Sequence, residues 1–374
     1  MRQRGTPVGG LVQLDDLRQL AGGPGPYLSL YLTVPPPIED LGGATALAWR
    51  DLRNQAAQLG APEALLASVD PQVEDAHREG AGLGVVTAPA GEAHVEHLAL
   101  SPGASFVRWE PTPALLPLVA VRQRLQPHVV VLVDRVGADV FVRGADSDPT
   151  TPASETTVEG RTHPIRKVGP GGWSQRRFQQ RAEETWEHNM RLVADEVSRA
   201  ASDSGARLVA VGGDQRAAGM LTERLPTEIQ SMVRPLAVTR SPDGSTTHLD
   251  EEVGRLLEEW ADEQIAGVLA TFREELGQHD RARAGPTDTL EALRSARVAQ
   301  LLVRFTPEDH RRVWIGDAPE HLSVHGDGET ADSIARTAPL MDAAAAGALA
   351  TGADVCVLPA QADVPGDLGA LLRW

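Results

Sequence analysis

A single cysteine, Cys356, and a single lysine, Lys167, stand in a chain of 374 residues. One cysteine excludes an intrachain disulfide and a cysteine-based zinc knuckle, and it fits a reducing cytosol. Within ADVCVLP it reads as a small core hydrophobe. With lysine nearly absent, arginine supplies the positive charge, and heavy use of Arg, Ala, Gly and Asp is the mark of a GC-rich genome more than of a function. No apolar run approaches about 18 residues, which excludes a membrane-spanning helix. The opening MRQRGTPVGGLVQLDDLRQL has the charge of a secretory leader without its apolar core, so a cytoplasmic protein with no membrane partner is expected. Internal repeats and low-complexity blocks are absent. Positive charge is scarce overall: the formal net charge is −17. A chain this acidic is repelled by phosphate at long range, which argues against DNA and indiscriminate nucleic-acid binding and confines any RNA contact to a local patch.

What is present reads as an α/β protein of three domains. At 41% hydrophobic residues the chain can bury several cores. The first domain, 1–122, takes a strand at 27–34, helices at 47–60 and 62–79, and short strands at 82–88, 92–100 and 105–111. The middle domain, 123–280, opens with HVVVLVD, a continuous apolar run expected of a strand covered on both faces. GADVFVRG follows, then a polar, aperiodic stretch from Ala145 to Gly172 that reads as one long loop. A long helix starts at Ser174, LVAVGG gives another buried strand, and the acidic stretch from Leu249 to Gly277 repeats its apolar residues at helical spacing. RARAGPTD (281–288) has linker composition. The third domain, 281–374, reads as a small layered α/β unit: helix TLEALRSAR, strands AQLLVRF and RRVWIG, helix ADSIARTAPLMDAAAAGALA, and the closing strand ADVCVLP.

Function concentrates in RTHPIRKVGPGGWSQRRFQQRAEETWEHNM (161–190). From Arg161 through Ala182 it carries Arg161, Arg166, Lys167, Arg176, Arg177 and Arg181 and no acidic residue. Gly169, Gly171 and Gly172 around Pro170 form a hinge whose backbone can approach another molecule closely. Ser174 fits the helix N-cap, with Trp173 and Phe178 at the positions of a hydrophobic staple. The helix then buries Phe178, Ala182, Trp186, Val193 and Val197 and presents Arg177, Arg181, Glu184, His188 and Arg191. Helix-start N–H groups beside guanidinium forks suit phosphate. No Gly-Lys-Ser/Thr follows the glycines, which disfavours a nucleotide loop of the Walker type. The spacing Glu184-His188 lacks a matching second pair, so no metal and no cofactor is expected. His321 and His325 read as a solvated pair. Asp214 reads as a helix N-cap after VAVGG, and Asp134 and Asp139 as caps of the hairpin. Spacing assembles no Ser/His/Asp set.

Strand, long loop, Gly-Gly, GGWSQRRFQQRAEETWEHNMRLVADEVSRA and then LVAVGGDQRAAGML resemble the middle domain of archaeo-eukaryotic release factors and Pelota-like rescue factors. The likeness is nearest the bacterial branch, which includes Balon-type ribosome hibernation factors and their actinobacterial relatives. It runs through most of the chain as a domain order, and only the loop-helix and the Gly212-Gly213-Asp214 turn are specific. In release factors of the superfamily a Gly-Gly-Gln tip enters the peptidyl-transferase centre. Here the tip reads Gly171-Gly172-Trp173-Ser174-Gln175, so Trp and Ser separate the glycines from glutamine. The stop-codon-reading Asn-Ile-Lys-Ser motif is missing as well, which argues against codon-directed termination.

Three functions follow as expectations. The resemblance implies a ribosome-binding factor that inserts the basic loop at the A site, contacts ribosomal RNA or tRNA through Arg161, Arg166, Lys167, Gly171, Gly172, Trp173, Arg176, Arg177 and Arg181, and protects idle ribosomes in stress. It also suggests delivery by elongation factor Tu. The second is a peptidyl-tRNA hydrolase or tRNA-cleaving rescue factor with Gln175 and Ser174 at the tip, placing water electrostatically because neither is a strong base. The third is a non-ribosomal regulator that binds a small anionic ligand at the loop.

Overall fold

The computed structural model describes residues 13–34, 42–76, 80–89, 91–144, 153–159, 172–238, 247–324 and 336–374; in the helix that begins at Gly172, side chains are described from Thr185 onward. These residues form a mixed α/β protein with four sheets. The chain divides into two compact units, residues 124–260 and residues 1–123 together with 261–374. The stretches read as outer domains thus fall in one unit.

The first segment of that unit contains α1 (Asp15–Ala21), β1 (Tyr27–Thr33), α2 (Gly42–Gln58), α3 (Glu63–Asp75), β2 (Gly82–Thr87), β3 (His94–Leu98), β4 (Phe106–Glu110) and α4 (Leu116–Arg122). Its antiparallel sheet has the order β3-β2-β1-β4. Strand alternation sends Leu28, Leu30 and Leu32 to one face, where they pack with Leu66, Val69 and Val73 of α3.

Unit 124–260 holds β5 (His128–Val133), β6 (Gly137–Arg143), β7 (Ser154–Glu159), α5 (Gly172–Ser204), β8 (Leu208–Gly213), α6 (Gln215–Thr222), α7 (Thr227–Met232), β9 (Val233–Pro235) and the first half of α8 (Thr247–Gly277). The sheet order is β7-β6-β5-β8-β9, with β5, β8 and β9 parallel and β6 and β7 antiparallel. The apolar runs of β5 and β8 are explained by two covered faces. Val129, Val131, Val133, Val209 and Val211 pack with Val193 and Val197 of α5. Val130, Leu132, Leu208 and Ala210 pack with Leu249, Val253, Leu256 and Leu257 of α8.

After α8 come β10 (Ala282–Ala284), α9 (Pro286–Arg294), β11 (Val298–Val303), β12 (Arg312–Ile315), β13 (Leu322–Ser323), β14 (Arg336–Pro339), α10 (Leu340–Ala350), β15 (Asp354–Val357) and β16 (Leu368–Leu372). They build a sheet of order β10-β16-β11-β15 and a small one of order β13-β12-β14.

Four local expectations are corrected. The stretch read as one loop contains β7, whose residues are mostly exposed and therefore carry no apolar alternation, although Thr156, Thr157 and Val158 are β-branched and pair with β6. The stretch read as a linker contains β10, paired to β16 with Ala282 buried, and runs into α9 at Pro286. The last long helix starts at Leu340, because Pro339 keeps the residue before it extended and RTAP joins β12 as a strand. ADVCVLP does not close the chain's sheet: LGALL adds β16 between β10 and β11. Cys356 is buried in β15, and desolvation pushes its thiol up to about 12, the state of an inert core residue.

Candidate functional site

The C-terminal ends of the parallel strands β5 and β8 bring three segments together. After β5, Asp134 Oδ1 accepts hydrogen bonds from the Val136 and Gly137 amides at 2.7 and 2.9 Å, which fixes a tight hairpin and sets Arg135 at its tip. Asp139 accepts a hydrogen bond from Thr157 Oγ1 at 3.0 Å across to β7. After β8, Gly213 turns the chain at φ +112°, and a Cβ there would lie 1.9 Å from the Val133 carbonyl oxygen. Only glycine allows β8 to leave the sheet so close to β5. The Asp214 amide then donates to the Val133 carbonyl at 2.9 Å.

Asp214 is the N-cap of α6, its side chain accepting from the amides of Arg216 and Ala217 at 3.0 Å each. The Ala217 amide, with the Arg135 guanidinium beside it, holds the carboxyl below the usual carboxylate range. A carboxylate so committed is a poor general base. Arg135 Nε donates to Asp214 Oδ2 at 3.1 Å. From the middle of α5, Trp186 completes the cluster: the guanidinium carbons of Arg135 and Arg216 lie over its ring, 5.1 and 5.3 Å from the centroid. The buried Asn189, a turn further along, donates from Nδ2 to the Arg135 carbonyl at 3.5 Å. Met190, Ala217 and Met220 floor the group.

The helix that carries Trp186 is the one expected to carry the basic tip. Its backbone begins at Gly172, so Ser174 lies within the first turn and not at the cap. Gly172, Trp173, Ser174, Gln175, Arg176, Arg177 and Arg181 all belong to α5, without described side chains; Arg161, Arg166, Lys167 and Gly171 lie outside the described residues. Phe178, Ala182 and Glu184 likewise have no described side chains, and His325 is outside the described residues. Further along, Val193 and Val197 are buried and His188 and Arg191 exposed, as the helical spacing predicts. Trp186, expected on the buried face, is only half-buried beneath arginines. Arg135, Arg216 and Trp186 were not foreseen as a group, since nothing in local spacing relates residues drawn from a hairpin, a helix start and the middle of α5. Among the described residues no set of three His, Cys, Asp or Glu side chains is placed to hold a metal ion. None of the described helices is long and apolar enough to cross a membrane.

The described cluster is thus a hairpin arginine and a helix-start arginine stacked on Trp186 of α5, where the parallel strands β5 and β8 end. Residues 127–278, which span that sheet, α5 and α8, match the model of bacterial archaeo-eukaryotic release factor family 2. Over this span the chain is similar to bacterial archaeo-eukaryotic release factors. Across 373 residues it is 28% identical to the uncharacterized protein Rv2629 of Mycobacterium tuberculosis, with 96% of each chain covered. Among solved structures, Dom34 of S. cerevisiae, a translation termination-like factor, is 11% identical, with a TM-score of 0.39 and 76% of this chain and 75% of that one covered. Archaeoglobus fulgidus Pelota is 14% identical, with a TM-score of 0.35 and coverage of 78% and 79%. The archaeal translation termination factor aRF1 is 15% identical, with a TM-score of 0.25 and 96% of both chains covered.

Proposed function

We propose that this protein is a translation factor that binds the ribosome through the basic segment 161–181, occupying the A site near the peptidyl-transferase centre and protecting idle ribosomes in stress. One observation carries the reading: the span that matches a release-factor family contains six cationic and no acidic side chains between Arg161 and Ala182, in a chain of net charge −17. An acidic body with one cationic segment avoids unspecific RNA while keeping a local contact to phosphate. Gly171 and Gly172 let that segment approach closely, and Trp173 offers an aromatic surface to an unstacked base. Delivery by elongation factor Tu belongs to the same proposal, as does a three-domain organisation with boundaries near 122 and 280.

Co-sedimentation with vacant ribosomes tests it. The wild type is expected to pellet, and Arg176→Glu, Arg177→Glu and Arg181→Glu combined to remain in the supernatant with an unchanged thermal midpoint. A wild type that stays soluble, or a triple variant that pellets fully, overturns the reading. The protein is expected to act by occupancy and not by hydrolysis, because Trp173 and Ser174 separate Gln175 from the glycines. Ribosomes carrying labelled peptidyl-tRNA decide this point: release that is lost in Gln175→Ala would make the protein a rescue hydrolase instead.

A further inference from the structure

The sheet of unit 124–260 ends at β7, which pairs on one side only, with β6. The ladder between β5 and β6 starts where the Asp134 amide donates to the Gly137 carbonyl. Alternation from that pair turns the backbone groups of Ala138, Val140 and Val142 toward β7, and the Val142 carbonyl accepts there from the Ala153 amide. Across from them, Val158, Thr156 and Ser154 face β6. Glu155, Thr157 and Glu159 therefore direct their own amides and carbonyls away from the sheet, where they have no partner among the described residues. Such an edge is a template for another strand. Beside it lies an open groove of about 280 Å³ between β6, β7 and α5. Val140 and Val142 line it from β6, Ser154 and Thr156 from β7, and Glu196 and Asp203 from α5. A strand laid along β7 would extend the sheet over this groove, and its alternate side chains would enter it.

From this edge and groove we infer that β7 is a docking edge for an extended, basic segment of a partner protein, added as an antiparallel strand. Charge selects the occupant. Glu155, Glu159 and Asp203 are exposed and have no cationic partner among the described residues, and the one cation lining the groove, Arg199, is paired with Glu196. Glu155 and Glu159 stand on the face away from the groove, directly across from positions of an added strand, where opposite charges stabilise and like charges oppose. On the groove side, a long cationic side chain would lay its stem on Val140 and Val142 and bring its head to Asp203. A second copy of this chain fits poorly, because two β7 edges paired about Thr157 would set each Glu155 against a second Glu159. The same carboxylates repel a nucleic-acid backbone.

The probe is the acetylated and amidated peptide Lys-Val-Lys-Arg-Lys-Val-Lys, whose lysines share the face of Glu155, Thr157 and Glu159 and whose arginine enters the groove. Its binding to the full chain would be measured by calorimetry, with amide exchange of Ser154–Glu159 followed in its presence and absence. The wild type is expected to bind, with exchange slowed in that strand. Glu155→Gln combined with Glu159→Gln is expected to bind about five- to tenfold more weakly, with an unchanged thermal midpoint. Two methylated peptides of the same charge separate strand addition from charge attraction. Methyl groups on the lysine amides, which face β7, are expected to abolish binding; methyl groups on the amides between them, which face away, are expected to leave it intact. Equal binding of the two methylated peptides, exchange that the peptide does not slow, or no binding at all overturns the inference. Self-association that slows the same amides without peptide would assign the edge to a second copy and overturn it as well.

Discussion

At Gly213 the backbone leaves β8 with φ +112°, and the atom that any other residue would add meets the Val133 carbonyl oxygen at 1.9 Å. That oxygen accepts from the Asp214 amide, so it cannot withdraw without breaking the junction of β5 and α6. Gly213→Ala is expected to cost about 2–3 kcal/mol, read as a lower urea midpoint at unchanged m-value. His128 is a second residue with a single physical demand. It is buried at the start of β5, its Nδ1–H donates to the Gln126 carbonyl at 2.8 Å, and its Nε2 has no partner among the described residues. Burial, reinforced by the Arg143 guanidinium, lowers its pKa from 6.5 to about 4. A base whose folded pKa is depressed favours the fold fully above the unfolded value. That contribution is lost as pH falls from about 6.5 toward about 4, and amounts to about 3 kcal/mol at about 1.4 kcal/mol per pH unit. The stability difference between wild type and His128→Leu is therefore expected to move against the wild type over that window and to stay flat above pH 7. A difference that does not change with pH would show that His128 is accessible to protons in the folded state.

Helix α6 depends on its cap in the same way that β8 depends on its glycine. Asp214 accepts from two amides that the helix start otherwise leaves without partners, and Asp214→Ala is expected to cost about 1 kcal/mol in thermal or urea unfolding. Asp214→Asn keeps an accepting oxygen and is expected to restore most of that loss, though not the ion pair to Arg135. This cap was legible in VAVGGDQRAAG because N-caps act within three residues. The covered faces of β5 and β8 were legible for a similar reason: a strand buried on both sides must be apolar at every position. Strand β7 was not, because an exposed edge strand imposes no pattern of burial, and its pairing depends on β6 and not on its own residues. Neither was β14, where pairing with β12 and the constraint of Pro339 outweigh the helical tendency of the alanine-rich run that follows. At the site, a run of cations between Arg161 and Arg181 can be read because they are neighbours in the chain. Arg135, Trp186 and Arg216 become neighbours only when the β5–β6 hairpin and the β8–α6 turn meet α5.

The unit made of residues 1–123 and 261–374 depends on ties between segments separated by the whole of unit 124–260. Gln123 bonds the edge of β15 through both its side-chain atoms, at 2.6 Å to the Val357 carbonyl and 3.0 Å from the Val357 amide. Glu110 takes a two-pronged bond from Arg312 at 2.8 and 2.9 Å. Most costly to break is the pair Arg108–Asp342, which joins β4 to the first turn of α10 with the carboxylate fully buried. Desolvation pushes Asp342 up to about 6 against the pull of Arg108, and its Oδ1 has no partner among the described residues. A raised folded pKa gives stability that is complete at low pH and is lost as pH rises through about 6, so at neutral pH the ion pair is what keeps the buried charge tolerable. Arg108→Met removes the pair and strands that charge, and is expected to cost about 3–5 kcal/mol at pH 7.5 in denaturant unfolding. The deficit should shrink as pH is lowered toward 5, because Asp342 then takes a proton in place of its partner. Arg108→Met combined with Asp342→Leu, an apolar pair, should regain most of the loss at every pH. A single-variant deficit that is small, or that ignores pH, would mean that water reaches Asp342 and that the two segments are held by their other contacts.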